Sequence, residues 1–223
     1  GPREINSGLT TIYFNDEKDI TIFRKEEIEK VLIHELIHAI KLDKHIWDNS
    51  YLIDNNIKCS FNIPSNIKIN LAEAYTETIS IIFNSLINSA LHNKDYKDIF
   101  QQEFNFSLLQ CKKIIEFFNI NDNEIFFSQS ECLNNYKSNW NEYTSVFSYF
   151  IIKTSLFYNP NFFIKNFIFK NQAVIDIYIE NLWLYIFNSY KIIDKYITKV
   201  PIINNNSLRM TNLDFTFAFH LNN

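Results

Sequence analysis

The chain has 223 residues, enough for one domain with a substantial core or one domain with a small appendage. Hydrophobic residues make up 47% and charged residues 21%, as in folded globular proteins, and a formal net charge of −4 leaves no basic footprint for nucleic acid or an anionic membrane surface. Only two glycines occur, Gly1 and Gly8, which excludes the Gly-rich loops of dinucleotide-binding folds, P-loops and kinases, and the G-x-S-x-G elbow of serine hydrolases.

Three cysteines, Cys59, Cys111 and Cys132, are widely spaced and form no C-x-x-C pattern. They are expected to be free buried thiols in a reducing, cytoplasmic setting. No run of about eighteen apolar residues escapes polar interruption, so no membrane span is expected. No signal peptide is visible at the start. Gly1-Pro2 resembles a tag-cleavage scar, so the natural N-terminus is expected to be missing, and any targeting signal with it. Abundant Phe, Tyr, Asn, Ile and Lys suit an AT-rich genome and say little about chemistry.

In chain order, residues 10–24 read as a β-hairpin. Thr10 to Phe14 and Ile20 to Phe23 are β-branched or aromatic, and Asn15 to Asp19 supply a polar turn. A helix follows from Lys25 to Leu42, with Glu26 and Glu27 favourably placed in its first turn. Ile28, Val31, Leu32, Ile33, Leu36, Ile37, Ala39 and Ile40 make it apolar nearly all round, so burial is expected. Residues 43–68, with Pro64, read as an irregular loop or lid. A second long helix is expected from Ile69 to Leu91, then helices near 96–118, 139–157, 161–169 and 172–198. Pro160 separates two of these and Pro201 closes the last. Phe215, Phe217 and Phe219 alternate in the Asn-rich tail and suggest a late strand. The expectation is a mainly α (α+β) fold in a single domain over 1–223. Residues 3–91 hold the hairpin and two principal helices, and 92–223 form a helical subdomain and tail.

The chemistry lies in His34-Glu35-Leu36-Ile37-His38, an H-E-x-x-H on a predicted helix. Four helical residues advance about 400°, so the two imidazoles lie only about 40° apart and one turn displaced, able to reach one tetrahedral cation. Zn2+ lowers the pKa of a bound water towards about 7, and Glu35 beside the first ligand can then act as general base. Two histidines and a glutamate inside so apolar a helix would be costly without such a partner.

A third ligand has three candidates. His45 lies seven residues after His38, one more than the metzincin pattern, and lacks that pattern's glycine. Asp43, just past the helix, fits no ligand pattern. Glu73 stands in Leu71-Ala72-Glu73-Ala74-Tyr75-Thr76-Glu77, which resembles the second-helix signature of gluzincin peptidases, a Glu followed four residues later by Asp or Glu. The resemblance covers about residues 25–91. It implies a zincin-like core in which Glu73 binds zinc and Glu77 hydrogen-bonds His34 or His38 from outside the ligand set. The shared helix face of Glu73 and Glu77 agrees, since a metal-bound imidazole commonly donates its other N–H to a carboxylate. Between His38 and Glu73 lie 34 residues, more than in the best-known gluzincins. Arg24 to Glu27 before the first helix, and Leu42-Asp43 after it, also look like an uncharacterised H-E-x-x-H group of large DNA viruses.

The function these residues imply is hydrolysis of a peptide or protein substrate by a zinc metallopeptidase. A tetrahedral oxyanion needs a further donor, and Tyr143 and Tyr149 are the candidates. Arg209 is one of three arginines, and its planar fork is a candidate clamp for a substrate C-terminus, which would make the enzyme a carboxypeptidase. The alternative is a non-catalytic module that uses the same cleft to bind zinc or a protein. Nothing in the sequence fixes an oligomeric state.

Overall fold

In the computed structural model the described residues are 7–118, 140–168, 174–201 and 208–213. Two antiparallel strands, β1 (Gly8–Ile12) and β2 (Lys18–Ile22), pair in the register Gly8↔Ile22 to Ile12↔Lys18. The hairpin is therefore placed slightly earlier than its β-branched residues suggest. A single 3-10 turn, Lys25–Glu27, leads into α1 (Ile28–Ala39). The remaining helices are α2 (Lys44–Asn49), α3 (Tyr51–Ser60), α4 (Leu71–His92), α5 (Tyr96–Phe117), α6 (Lys153–Phe157), α7 (Pro160–Phe163) and α8 (Ile175–Ile197). π-helical segments, Ser148–Ile152 and Ile164–Ile168, precede α6 and follow α7. The described fold is mainly helical with a small antiparallel sheet near the N-terminus.

Helix α4 is the central element. Asn70 caps it by accepting from the Glu73 N–H, and Asn93 ends it in a left-handed conformation. Between these ends Ala72, Ala74, Tyr75, Ile79, Ile81 and Ile82 are all buried. It packs against α1 on one side and against α5, α6 and the Ser148–Ile152 segment on others. The hairpin lies against α1. One apolar cluster runs from Ile37 through α4 to Ile197 and Met210, joining residues on both sides of position 92.

Four expectations need correction. The irregular stretch is confined to residues 61–68, because residues 44–60 are largely helical: Ile46, Ile53 and Ile57 bury one face of α2 and α3, a helical spacing hidden by the polar residues between them. Helix α1 is not buried all round, since Leu32, Leu36 and Ile40 stay 42%, 44% and 67% exposed on the side away from α4. Residues 140–145 are not helical, because Glu142 folds back to accept the Phe147 N–H at 2.7 Å and the Trp140 indole N–H at 3.0 Å. Cys59 is disulfide-bonded to a partner outside the described residues, whereas Cys111 is free and buried. Wide sequence spacing carries no information about proximity in the fold, and the disulfide removes the support that free thiols gave to a reducing compartment. The suggested strand at Phe215, Phe217 and Phe219 lies outside the described residues. Among the described residues, no helix is long and apolar enough to cross a membrane.

Candidate metal centre

Helices α1 and α4 bring His34, His38 and Glu73 together. One turn of α1 separates the two imidazoles, and Glu73 faces them from the first turn of α4. His34 Nε2 lies 3.0 Å from His38 Nε2 and 3.1 Å from Glu73 Oε2, and His38 Nε2 lies 3.4 Å from the same oxygen. These three residues could hold a metal ion. His45 is not among them. Its Nε2 lies 3.2 Å from the Tyr178 hydroxyl, between the rings of Tyr75 and Tyr178.

The other nitrogen of each imidazole identifies the tautomer. His34 Nδ1 is 2.9 Å from Glu77 Oε2, and His38 Nδ1 is 2.7 Å from Asp43 Oδ2. An ionised carboxylate only accepts, so both Nδ1 atoms carry the proton. Both Nε2 lone pairs then face each other and the Glu73 carboxylate. Three lone-pair atoms in such contact repel unless a cation or an added proton lies among them. The same geometry draws protons when no metal is bound. Burial opposes protonation of His38, but hydrogen bonds to Asp43 and Glu73 outweigh it and raise its pKa to about 10. His34 is shifted the same way, its burial outweighed by Glu73 and Glu77. Burial works against ionisation of Glu73, yet the two histidines hold its pKa well below the usual carboxylate range.

Asp43 was missed as a partner of His38, and the end of α1 explains its position. Lys41 adopts φ 60°, its N–H bonds the His38 carbonyl, and the Leu42 N–H bonds the Ile37 carbonyl. This left-handed closure reverses the chain and returns Asp43 to the His38 ring. The Trp47 indole and the Thr76 hydroxyl donate to the same Asp43 oxygen. Lys30 was missed as well. One turn before His34, its ammonium donates to both oxygens of Glu77 at 2.7 and 2.9 Å. A lysine one turn before His34, on the same helix face, was the available signal.

Glu35 is buried and lines the cleft beside the two histidines. The Thr10 hydroxyl on β1 lies 2.7 Å from Glu35 Oε2 and 2.9 Å from the Glu35 carbonyl, able to donate its proton to either. Gly8 permits this approach, since a Cβ there would sit 2.6 Å from Glu35 Oε1 and 2.7 Å from Val31 Cγ1. The cleft encloses about 530 Å3. Leu9 and Ile12 line it from the strand side, and Lys41, Lys44 and Trp47 line it beyond His38.

Tyr149 also reaches the centre. It sits on the π-helical segment after Phe147 and donates to Glu73 Oε2 at 2.7 Å. Burial and then Glu73 raise its pKa well above the ordinary value, so it remains a protonated donor. The structure does not bring Tyr143 there: it is 67% exposed and absent from the cleft lining. Six residues from Tyr149, it lies in the non-helical stretch, which directs it elsewhere. Arg209 does not line the cleft either. It follows Leu208, whose carbonyl accepts from Arg24, and it donates to the Leu213 carbonyl.

No protein-family model and no solved structure matches the chain. The chain is similar to an uncharacterised protein of Acanthamoeba polyphaga mimivirus, with 28% identity over 166 residues, covering 70% of this chain and 39% of that protein. The matched region thus spans about two fifths of that relative's length.

Proposed function

We propose that the chain is a zinc-dependent metallopeptidase with a zincin-like core formed by the hairpin, α1 and α4. The observation that carries this reading is the meeting of two imidazole Nε2 atoms and the Glu73 carboxylate in an open cleft, with Glu35 alongside. The donor set suits zinc, for which bonds of about 2.0–2.1 Å at tetrahedral angles set ligand atoms about 3.3 Å apart. The separations of 3.0, 3.1 and 3.4 Å lie around that value. Zinc held there would acidify a water molecule and polarise the carbonyl of a bound peptide.

The chain's own residues supply the remaining steps. Glu35 takes the proton from the attacking water and passes it to the departing amine. The Tyr149 hydroxyl, which donates to Glu73 in the metal-free centre, would turn from that carboxylate to donate to the oxyanion as it develops. Glu77 and Asp43 keep the two imidazoles turned with Nε2 towards the metal. A carboxypeptidase would need a cation at the end of the cleft. Arg209 is not positioned for that, and Lys41 and Lys44 are the cations that line it.

The test is an unbiased peptide-library digest by the zinc-loaded protein, with Glu35→Gln as control. Cleavage that falls about 10²–10⁴-fold in Glu35→Gln, with zinc retained, supports the reading. The non-catalytic alternative draws on the Thr10 hydroxyl, which already occupies the Glu35 carboxylate. Bound zinc with no cleavage of any peptide would establish that alternative instead.

A further inference from the structure

We propose that Lys30 is a positioning residue of the metal centre: it holds the Glu77 carboxylate so that Glu77 fixes the tautomer and ring orientation of His34. This rests on the metal reading above. Lys30 is only 2% exposed and Glu77 is fully buried. The ammonium engages both carboxylate oxygens, at 2.7 and 2.9 Å, and touches Met210 Sδ at 3.5 Å. Glu77 Oε2 is shared, accepting from Lys30 on one side and from His34 Nδ1 on the other. The carboxylate is thereby gripped at both oxygens and cannot turn about its Cγ–Cδ bond without breaking a charged contact.

Two physical arguments favour positioning over plain stability. A buried ion pair contributes little net stability, because removing both charges from water costs about as much as their attraction returns. Apolar side chains of similar volume could have filled the site at no loss of stability. A metal-bound histidine is also neutral, so in the loaded protein His34 gives Glu77 one N–H and no charge. Lys30 supplies the opposite charge there. It stands at the end of a relay from Lys30 through Glu77 and His34 to the metal, built from one turn of α1 and one residue of α4.

The experiment measures zinc affinity by competition with a chromogenic chelator for wild type, Lys30→Met, Glu77→Gln and the double variant, with thermal melting of each metal-free protein alongside. Lys30→Gln serves as a second single variant should Lys30→Met not fold. Lys30→Met is expected to weaken zinc binding about 10–100-fold. In the Glu77→Gln background the same change should alter affinity by less than about 2-fold, because its route to the metal is gone. Wild-type affinity in folded Lys30 variants, whatever their melting temperature, would overturn the proposal. So would equal losses in both backgrounds. A wild-type protein that binds no zinc would instead remove the metal reading itself.

Discussion

The two imidazoles of the centre are oriented by carboxylates, but the two sides hold those carboxylates differently. Glu77, behind His34, is enclosed by protein and balanced by the Lys30 ammonium. Asp43, behind His38, is also buried, yet it lies against the cleft and receives neutral donors, the Trp47 indole and the Thr76 hydroxyl. The difference follows from surroundings. An anion deep in protein needs a cation, because neutral dipoles alone recover too little of its lost hydration. An anion beside a solvent-filled cleft is held by a few well-aimed hydrogen bonds.

The largest effect that would break this comparison is on stability. Glu77→Gln leaves the Lys30 ammonium buried without an anion and should cost about 3–5 kcal/mol in urea unfolding of the metal-free protein. Asp43→Asn leaves the His38 imidazolium still paired with Glu73 at 3.4 Å and should cost less, about 1 kcal/mol, the scale of one weakened hydrogen bond. Equal losses would mean that the two sides are not held differently.

The pH dependence of the metal-free protein sharpens the contrast. Burial works against ionised Glu77, but Lys30 and His34 bring its pKa down from 4.5 to about 2. A lowered carboxylate pKa gives stability that is present above pH 4.5 and lost as pH falls towards about 2. His38 is raised from 6.5 to about 10, so its contribution is complete below pH 6.5 and lost as pH rises through about 10. Thermal melts across this range should show an acid arm that shrinks in Glu77→Gln and an alkaline arm that shrinks in Asp43→Asn. Bound zinc should abolish the alkaline arm, since its histidine ligands are already neutral. An alkaline arm unchanged by Asp43→Asn would dissociate Asp43 from His38.

The smallest effect concerns the turn that delivers Asp43. Lys41 adopts φ 60°, where a side chain costs about 1–2 kcal/mol and glycine is at ease. Glycine also loses more freedom on folding, so Lys41→Gly should gain only about 0.5–1 kcal/mol in urea unfolding. A loss of stability would show that the Lys41 side chain matters more than its backbone.

What was legible in the sequence was what helical spacing carries. His34, Glu35 and His38 lie within one turn, and Glu73 and Glu77 lie one turn apart, so the relevant faces follow from 3.6 residues per turn. Contacts made across the fold were not legible in this way. Tyr149 could not be separated from Tyr143 by composition, and a π-helical segment decides between them. Asp43 is delivered by a left-handed turn at a lysine, where a glycine would have signalled it. Lys30 was visible as a charge, but its partner Glu77 is 47 residues away. The face of α2 and α3 rests on three isoleucines in a polar stretch, and Cys59 pairs through space.

The proposed metal centre depends on a single cation joining α1 to α4 through three side chains, and zinc stoichiometry is its most direct test. Purified protein is loaded with zinc, dialysed against metal-free buffer and assayed for metal, beside Glu73→Gln treated identically. One equivalent retained by the wild type and lost from Glu73→Gln is the expected result. A wild type that emerges without zinc, or a Glu73→Gln protein that holds it equally well, would contradict the account.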